Sequence, residues 1–416
     1  MRILRLFAMS VSGLLTLVCF LAHAGAEPRP ARESVLPVSA DTVDLRQKIG
    51  QMILIGFVGS SPTHSGFQRV LSQVEAGEIG GVLYLGRNLK NREMVQQMNT
   101  ALKTAATELP LPLIAIDQEG GVVQRLKRRH GFPQTMSAKR MAQGSSPSEA
   151  KDAYGVLAKG LTDWGFTLNL GPVVDVDIYS RNPIIGRLGR SYSRNPERVA
   201  AYGTAFVEAH RAHGVLTALK HFPGHGSSRR DSHKGTADIS RTWSKRELLP
   251  FQTLIENDKV DLIMTAHVIN RSLQEKGKRL PVSLSERALT DTLRGDLGFT
   301  GVIITDDLQM DAIRRNFTLE ETVLRAVRAG TDVLLFANDK RPDPEVPAKV
   351  AKILLQAVEN DPSMEGLIDA AYDRILMLKR TRNGHSFAAA ANPDRLKTWL
   401  TSQATDPERC ALSDSQ

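Results

Sequence analysis

The chain has only two cysteines in 416 residues. Cys19 lies in an apolar N-terminal segment and Cys410 in a polar C-terminal one, so no disulfide within the fold is expected, although Cys410 could pair between chains. Trp and Tyr are also scarce, at three and six residues. The basic side chains are scattered along the chain. We therefore expect no nucleic-acid binding, despite a formal net charge of +9.

Long apolar runs are confined to the N-terminus. Residues 1–5 carry two arginines, residues 6–21 are largely apolar, and Ala-His-Ala-Gly-Ala follows. This order predicts a secretory signal peptide over residues 1–26. Lipidation at Cys19 is the alternative, but the bulky Val18 disfavours it. No later run has the roughly 18 to 20 apolar residues that a membrane span needs. We expect an exported protein, periplasmic or secreted, without a transmembrane anchor.

Short apolar runs bounded by Gly or Pro alternate with helical patterns along the rest of the chain. The runs lie at Met52–Phe57, Gly81–Leu85, Leu113–Ile116, Phe166–Val174, Val215–Leu219, Leu262–Thr265, Val302–Thr305 and Val333–Phe336. Eight buried strands with intervening helices predict an α/β fold of the (β/α)₈ TIM-barrel type. An open doubly wound sheet is the alternative.

One catalytic domain accounts for most of the sequence. We place it at residues 41–380, after a Pro/Ala/Arg-rich lead-in at residues 27–40. Residues 381–416 lack sustained periodicity and are predicted to form a flexible tail. Oligomeric state cannot be read from these patterns.

The richest polar segment runs from Lys220 to His233 and reads Lys-His-Phe-Pro-Gly-His-Gly-Ser-Ser-Arg-Arg-Asp-Ser-His. It follows a predicted buried strand, where α/β enzymes place catalytic groups. Asp231 precedes His233 by two residues, so the carboxylate can orient and charge-stabilise the imidazole as an acid/base near neutral pH. The segment therefore predicts an enzyme.

A second chemical group follows the run Val302–Thr305. There Asp306 can act as a carboxylate nucleophile, and with an acid/base on another loop this is the equipment of a retaining glycosidase. The alternative is that Asp306 or Asp307 only caps the next helix.

A polar pocket is predicted around these groups. Asp117 follows a strand, Arg125 lies beyond a Gly pair, and Arg190 lies in a Gly-broken loop. With Lys220 and His221 they supply the fixed donors and acceptors that sugar hydroxyls need. For any single arginine, a surface salt bridge is the alternative. By contrast, Asp332 precedes its strand, which places it at the opposite, structural end.

Four motifs carry a family resemblance. They are Asp117-Gln-Glu-Gly-Gly with Arg125, Asn169-Leu-Gly-Pro-Val-Val-Asp-Val, Lys220-His-Phe-Pro-Gly-His-Gly with Asp231-Ser-His, and Thr305-Asp-Asp-Leu-Gln-Met. In this order they resemble the bacterial β-N-acetylglucosaminidases of glycoside hydrolase family 3, over about residues 45–380. Relatives that act as β-glucosidases usually carry a second α/β domain with a glutamate acid/base, for which this chain has no room.

The resemblance implies a role for each matching residue. Asp306 would be the nucleophile, and His233 the acid/base assisted by Asp231. The terminal sugar of a carbohydrate substrate would be held by Asp117, Arg125, Arg190, Lys220 and His221. Met310 would lie near the N-acetyl group. No metal and no organic cofactor is implied.

The chain departs from the family pattern at two places. Ser227 and Ser228, followed by two arginines, replace the usual Asp-Thr of the loop, which bears on loop conformation and leaving-group preference. The segment around Arg190 is longer than usual, so Arg187 is a second candidate for the sugar-binding arginine. We prefer Arg190 because Ser191 follows it directly.

Three other functions stay open on the sequence. A phosphorylase of the same family would use phosphate in place of water, and Arg229 and Arg230 could attract it. A metal-dependent hydrolase could use His221, His225 and His233 as ligands with Asp231, although their spacing is not that of a compact zinc motif. The third is a non-catalytic glycan-binding protein on an enzyme fold.

Overall fold

The computed structural model describes residues 43–106 and 109–382. Within these ranges eight short parallel strands form one sheet. Numbered in chain order, they are β1 Ile53–Gly56, β2 Gly81–Tyr84, β3 Leu113–Ile116, β4 Leu168–Asn169, β5 Leu216–Phe222, β6 Leu262–Thr265, β7 Val302–Thr305 and β8 Leu334–Phe336.

The strands follow one another around the sheet in chain order, and β1 pairs with both β2 and β8. β7 meets the last strand through a parallel bridge between Ile304 and Val333, where the Thr305 N–H donates to the Val333 carbonyl at 3.0 Å. The sheet therefore closes into a barrel. The predicted (β/α)₈ TIM-type fold is confirmed, and the doubly wound alternative is wrong because such a sheet would stay open at two edges.

Helices precede, connect and follow the strands. In the described ranges they are α1 Leu45–Gln51, α2 Ser65–Glu75, α3 Arg92–Ala105, α4 Ala138–Gly144, α5 Pro147–Asp163, α6 Pro196–Arg211, α7 Leu249–Glu256, α8 Asp311–Arg314, α9 Leu319–Arg328, α10 Val346–Asn360 and α11 Ser363–Arg382. A π-helix, Arg287–Asp296, connects β6 to β7. Its first residues pack their apolar face inward, as Ala288 and Leu289 are fully buried.

Side-chain caps explain where two of the helices, α5 and α9, begin. The Ser146 hydroxyl accepts from the Glu149 N–H, and the Glu149 carboxylate accepts from the Ser146 N–H, while Pro147 fills the first helical position. Thr318 and Glu321 form the same reciprocal pair at the start of α9. Each pair satisfies N–H groups that a helix leaves without an internal partner.

Two strands differ from the predicted runs. The run Phe166–Val174 forms regular strand only in β4, because Gly171–Pro172 interrupts the ladder and proline has no N–H to donate. β5 is longer than predicted and includes Lys220 and His221, which were expected in the following loop. The Lys220 N–H donates to the Pro172 carbonyl at 3.0 Å. Both residues are thus fixed on the barrel wall.

The amino-terminal end of the barrel is held by a buried ion cluster. The carboxylate of Asp332 is fully buried, 2.7 Å from Arg294 Nη2 and 2.8 Å from Arg374 Nε. Asp332 also accepts from the Ile303 N–H at 2.7 Å. This agrees with the structural position expected for Asp332, since catalytic groups of such barrels lie at the other end.

Several predictions fall outside the described residues. They are the signal peptide at residues 1–26, the lead-in at residues 27–40, and the tail at residues 381–416 apart from the backbone of Thr381 and Arg382, which continues α11. Among the described helices, none combines the length and apolarity that crossing a bilayer requires.

Candidate active site

Charged and polar side chains meet at the carboxyl-terminal mouth of the barrel. They come from the ends of β3 and β5 and from the β4–α6 connection. We call this group the charged network; its members are Asp117, Glu119, Arg125, Arg190, Lys220 and His221. Five of the six were predicted as sugar ligands, and Glu119 was not.

Two glycines shape the segment that carries the network's carboxylates. Gln118–Gly120 pairs antiparallel with Val123–Gln124 in a short ribbon. Gly120 has φ 104° and Gly121 has φ 62°, and a Cβ on Gly120 would lie 2.3 Å from the Met136 carbonyl oxygen. The ribbon can turn back only with glycine there, and the turn brings Arg125 onto Asp117.

Lys220 lies at the centre of the charged network. Its Nζ is 2.9 Å from Asp117 Oδ1 and 2.8 Å from Glu119 Oε1, and 4% of the side chain is exposed. Burial alone would lower the pKa of Lys220, but the two carboxylates outweigh it and raise the pKa. Lys220 therefore stays charged.

The two carboxylates are ionised for the same reason. Burial would raise the pKa of Asp117, but Lys220 and Arg125, whose Nη2 lies 2.9 Å from Oδ2, hold that pKa well below its usual range. Burial would likewise raise the pKa of Glu119, but Arg190 and Lys220 lower it to about 2. The network thus holds acceptors and donors of fixed charge near neutral pH.

Arg190 contacts Glu119 through two nitrogens. Nε lies 2.8 Å from Oε2 and Nη2 lies 2.7 Å from Oε1, while Nη1 donates to the Ile184 carbonyl at 2.9 Å. Only 9% of the Arg190 side chain is exposed. Arg187, the second candidate, is exposed. The geometry therefore places Arg190, not Arg187, within the charged network.

His221 is fixed by a buried carboxylate. Its Nδ1 lies 2.7 Å from Asp175 Oδ2, and its N–H donates to Asp175 Oδ1 at 3.1 Å. The opposite ring nitrogen, Nε2, lies 3.5 Å from Arg190 Nη2. Asp175 therefore sets the direction of the His221 ring, with its proton on Nδ1 and its Nε2 toward the mouth.

Asp306 and Asp307 occupy different environments at the end of β7. Asp307 Oδ1 accepts from the N–H groups of Gln309 at 3.0 Å and Ala337 at 2.9 Å, and burial raises the pKa of Asp307 to about 6. Asp306 Oδ1 accepts from the Asp307 N–H at 2.8 Å, and the residue is half-buried. Neither carboxylate caps α8, because Met310 is its N-cap residue. The capping alternative is wrong, and Asp307 has the structural role.

Asp231 and His233 lie on a loop that follows β5. Ser232–Lys234 forms a single 3₁₀ turn that packs against α8, immediately after Met310. Asp231 is half-buried, and the side chain of His233 lies outside the described part of the structure. The backbone thus brings the predicted acid/base turn beside the segment that follows the predicted nucleophile.

The first half of this loop is held by hydrogen bonds. The Ser227 N–H donates to Glu247 Oε2 at 3.1 Å, and the Ser228 hydroxyl donates to the Arg230 carbonyl at 2.8 Å. Ser227 and Ser228 are buried, whereas Arg230 is exposed. The two serines that depart from the family pattern therefore belong to the buried first half of the loop.

Comparison with known proteins agrees with this geometry. Residues 44–378 match the model described as the glycosyl hydrolase family 3 N-terminal domain. The chain belongs to glycosyl hydrolase family 3.

Relatives within the family cover most of the chain. Beta-hexosaminidase A of Pseudoalteromonas piscicida is 32% identical over 80% of this chain and 60% of its own length. A family 3 β-N-acetylglucosaminidase from a Paenibacillus species has 34% identity and a TM-score of 0.74, over 82% of this chain and 63% of its own. A β-N-acetylhexosaminidase from Beutenbergia cavernae has 28% identity and a TM-score of 0.72, over 81% and 98%. The chain thus spans about three fifths of the first two relatives.

Glu119 and Glu247 were missed from the sequence, whereas Asp175, which follows a predicted strand run within a quoted motif, was expected at the barrel mouth but not as the partner of His221. Glu119 neutralises two network cations, Asp175 orients His221, and Glu247 supports the first half of the loop. Glu119 lies two residues after Asp117 in a quoted motif, so the excess of buried cations over carboxylates could have revealed it. Nothing local marks Glu247, which lies on the 3₁₀ helix Lys245–Leu248, far along the chain.

Two of the three histidines considered as metal ligands contact protein side chains. His221 contacts Asp175, and the His225 Nε2 lies 3.1 Å from the Ser232 hydroxyl. Among the described residues, no group of three or more His, Cys, Asp or Glu side chains is arranged as a metal site.

Proposed function

We propose that this chain is a retaining, exo-acting glycoside hydrolase that releases terminal non-reducing β-N-acetylglucosamine. The observation that carries the proposal is the charged network, which joins five candidate sugar ligands at the barrel mouth, where Asp306 directly follows β7. The printed names of the relatives, β-hexosaminidase and β-N-acetylglucosaminidase, support it.

The first step forms a glycosyl-enzyme. A carboxylate oxygen of Asp306 attacks the anomeric carbon, the bond from that carbon to the leaving oxygen breaks, and the His233 imidazolium donates its proton to that oxygen. Asp231 stabilises the charged imidazole. In the second step water attacks the same carbon, His233 takes the proton, and Asp306 is released as a carboxylate. Two displacements retain the anomeric configuration.

The charged network is proposed to hold the terminal sugar. Asp117 and Glu119 offer acceptors, and Lys220 with Arg125 offers donors, so that vicinal hydroxyls can each find a charged partner. Because the groups already hold one another, little reorganisation is needed when the sugar binds. Met310, which is 6% exposed at the start of α8, is proposed to contact the N-acetyl group.

Arg181 and Arg229, the second of which lies on the acid/base loop, affect which leaving group the site favours. The guanidinium carbons of Arg181 and Arg229 lie 5.8 Å and 5.6 Å from the centre of the Tyr179 ring. Both arginines are exposed, and no ion pair joins them to a carboxylate among the described residues. Two cations on one ring attract an anion. This favours a leaving group that carries a carboxylate, as in peptidoglycan fragments, over neutral chitin oligosaccharides.

The same arginines favour phosphorolysis as the second candidate function. Inorganic phosphate held there could replace water in the second step and yield a sugar phosphate. A release rate that does not depend on phosphate concentration would reject this candidate. Parallel digestion of muropeptides and chitobiose would then rank the two substrate sources.

Two paired variants test the nucleophile. Asp306→Ala removes the attacking carboxylate, so turnover of a chromogenic β-N-acetylglucosaminide should fall below detection. Asp307→Asn keeps a side-chain oxygen for the Gln309 and Ala337 N–H groups, so it should retain most activity. Near wild-type turnover by Asp306→Ala would reject the proposed function, as would a wild-type protein that leaves the substrate untouched and only binds glycans.

Full activity in the presence of a chelator would reject the metal-dependent alternative.

Export is proposed from residues 1–26 alone. Fractionation of cells that express the full chain should place the activity outside the cytoplasm.

A further inference from the structure

His225 is buried in the acid/base loop, although it belongs neither to the charged network nor to the proposed catalytic pair. The residue is 1% exposed, and burial lowers its pKa to about 4. The imidazole is therefore neutral near pH 7 and does not replace His233 as a proton donor. A neutral histidine in this position acts through its hydrogen bonds.

Three hydrogen bonds to side chains fix His225. Its N–H donates to Asp175 Oδ1 at 2.7 Å, its carbonyl accepts from Asn182 Nδ2 at 2.7 Å, and its ring Nε2 lies 3.1 Å from the Ser232 hydroxyl. The first two bonds hold the backbone. Only the third depends on the imidazole, and it reaches across the loop to the turn between Asp231 and His233.

The ring of His225 is held on one side. No hydrogen-bond partner of its buried Nδ1 is found among the described residues. The imidazole is therefore positioned through Nε2 and the Ser232 hydroxyl, whichever of the two groups donates.

Asp175 links this contact to the sugar site. One carboxylate accepts from the N–H groups of both His221 and His225 and also contacts the His221 ring. A continuous series of contacts thus runs from Arg190 through His221, Asp175 and His225 to Ser232. The element that would bind sugar and the turn that carries the acid/base share one buried anchor.

We propose that His225 is a positioning residue for proton transfer: its hydrogen bond to Ser232 holds the Ser232–Lys234 turn, and so His233, in register with the sugar bound beside His221. This inference rests on the proposed function, in which His233 is the acid/base. General acid catalysis depends steeply on the distance between donor and leaving oxygen, so loss of the bond should impair protonation more than sugar binding.

Two variants remove the bond from either side. His225→Phe keeps a planar ring in the buried space, and Ser232→Ala removes only a hydroxyl. Each should lower kcat/KM for chitobiose, whose leaving group needs a proton, by about 10-fold or more. Each should change kcat/KM for the 2,4-dinitrophenyl glycoside, whose leaving group needs none, by less than about threefold. The double variant should be no worse than the worse single variant, because both remove one bond.

Controls separate the possible outcomes. Ser232→Thr keeps the hydroxyl and should restore chitobiose turnover, and Ser240→Ala removes an unrelated hydroxyl that contacts Asp238 at 2.6 Å and should change neither substrate. Equal losses on both glycosides, or additive losses in the double variant, would overturn the positioning role. If His225→Phe fails to fold, Ser232→Ala and Ser232→Thr still decide the matter. If His233→Ala shows no leaving-group dependence, the proposed acid/base itself fails.

Discussion

Glu119 offers a quantitative test of the charged network. It is the one member that the sequence did not reveal, and it contacts Arg190 at 2.7 and 2.8 Å and Lys220 at 2.8 Å. Its side chain is 6% exposed, so water screens these contacts little. Glu119→Gln keeps the shape and removes the charge, leaving two buried cations with fewer counter-charges.

The expected loss of stability follows from the pKa of Glu119. A fall from its ordinary 4.5 to about 2 in the folded protein corresponds to about 3 kcal/mol of unfolding free energy at pH 7. Breaking a buried ion pair by removing one partner typically costs about 3–5 kcal/mol, which agrees with this value.

The sign of the pH dependence also follows. Because folding lowers the pKa, the stabilisation is fully present above about pH 4.5 and is lost as the pH falls toward 2. The difference between wild type and Glu119→Gln should therefore shrink by about 1 kcal/mol between pH 7 and pH 3.5.

Urea unfolding followed by circular dichroism measures both quantities. Glu75→Gln, at an exposed position of α2, is the matched control and should shift the unfolding free energy by less than about 0.5 kcal/mol. A loss below 1 kcal/mol for Glu119→Gln, or a difference that does not vary with pH, would refute the account of the charged network.

Three further predictions concern buried positions, two near the site and one at the opposite end of the barrel. Asp175→Asn weakens a charge-assisted contact to His221. It should lower kcat/KM roughly 30-fold, which corresponds to a rise of about 2 kcal/mol in the activation free energy. Gly226→Ala would place a Cβ 1.7 Å from the Val176 carbonyl oxygen and should cost about 1–3 kcal/mol of stability, whereas Gly144→Ala, which meets nothing within 4 Å, should be neutral. Asp332→Asn at the far end should cost about 3–5 kcal/mol with KM unchanged. Urea unfolding and steady-state kinetics check each prediction. For Asp332→Asn, an unchanged stability with a raised KM would contradict the assignment of a structural role to this end of the barrel.

The barrel and most of the residues at its mouth could be predicted from the sequence, because both depend on local patterns. Buried strands appear as continuous apolar runs, and residues just after them meet at one rim in any closed parallel barrel. Asp117, Lys220 and His221 were found for this reason. His221 was assigned to the loop only because its strand continues past the apolar run.

What the sequence did not reveal depends on contacts between distant segments. Glu247 accepts a hydrogen bond from Ser227, twenty residues away. Asp175 was expected at the mouth, but its contacts to His221 on β5 and to His225 in the following loop were not. No spacing rule announces such partners. They become visible only when the fold shows which buried N–H groups and charges need an acceptor.

The most direct test of the central claim is to trap the glycosyl-enzyme. In His233→Ala, the 2,4-dinitrophenyl β-N-acetylglucosaminide still transfers its sugar because its leaving group needs no proton, whereas hydrolysis slows for want of a base. Intact-protein mass spectrometry should show one added N-acetylglucosamine per chain, and peptide mapping should locate it on Asp306. A sugar on any other residue, or turnover without any sugar-bound protein, would contradict the account.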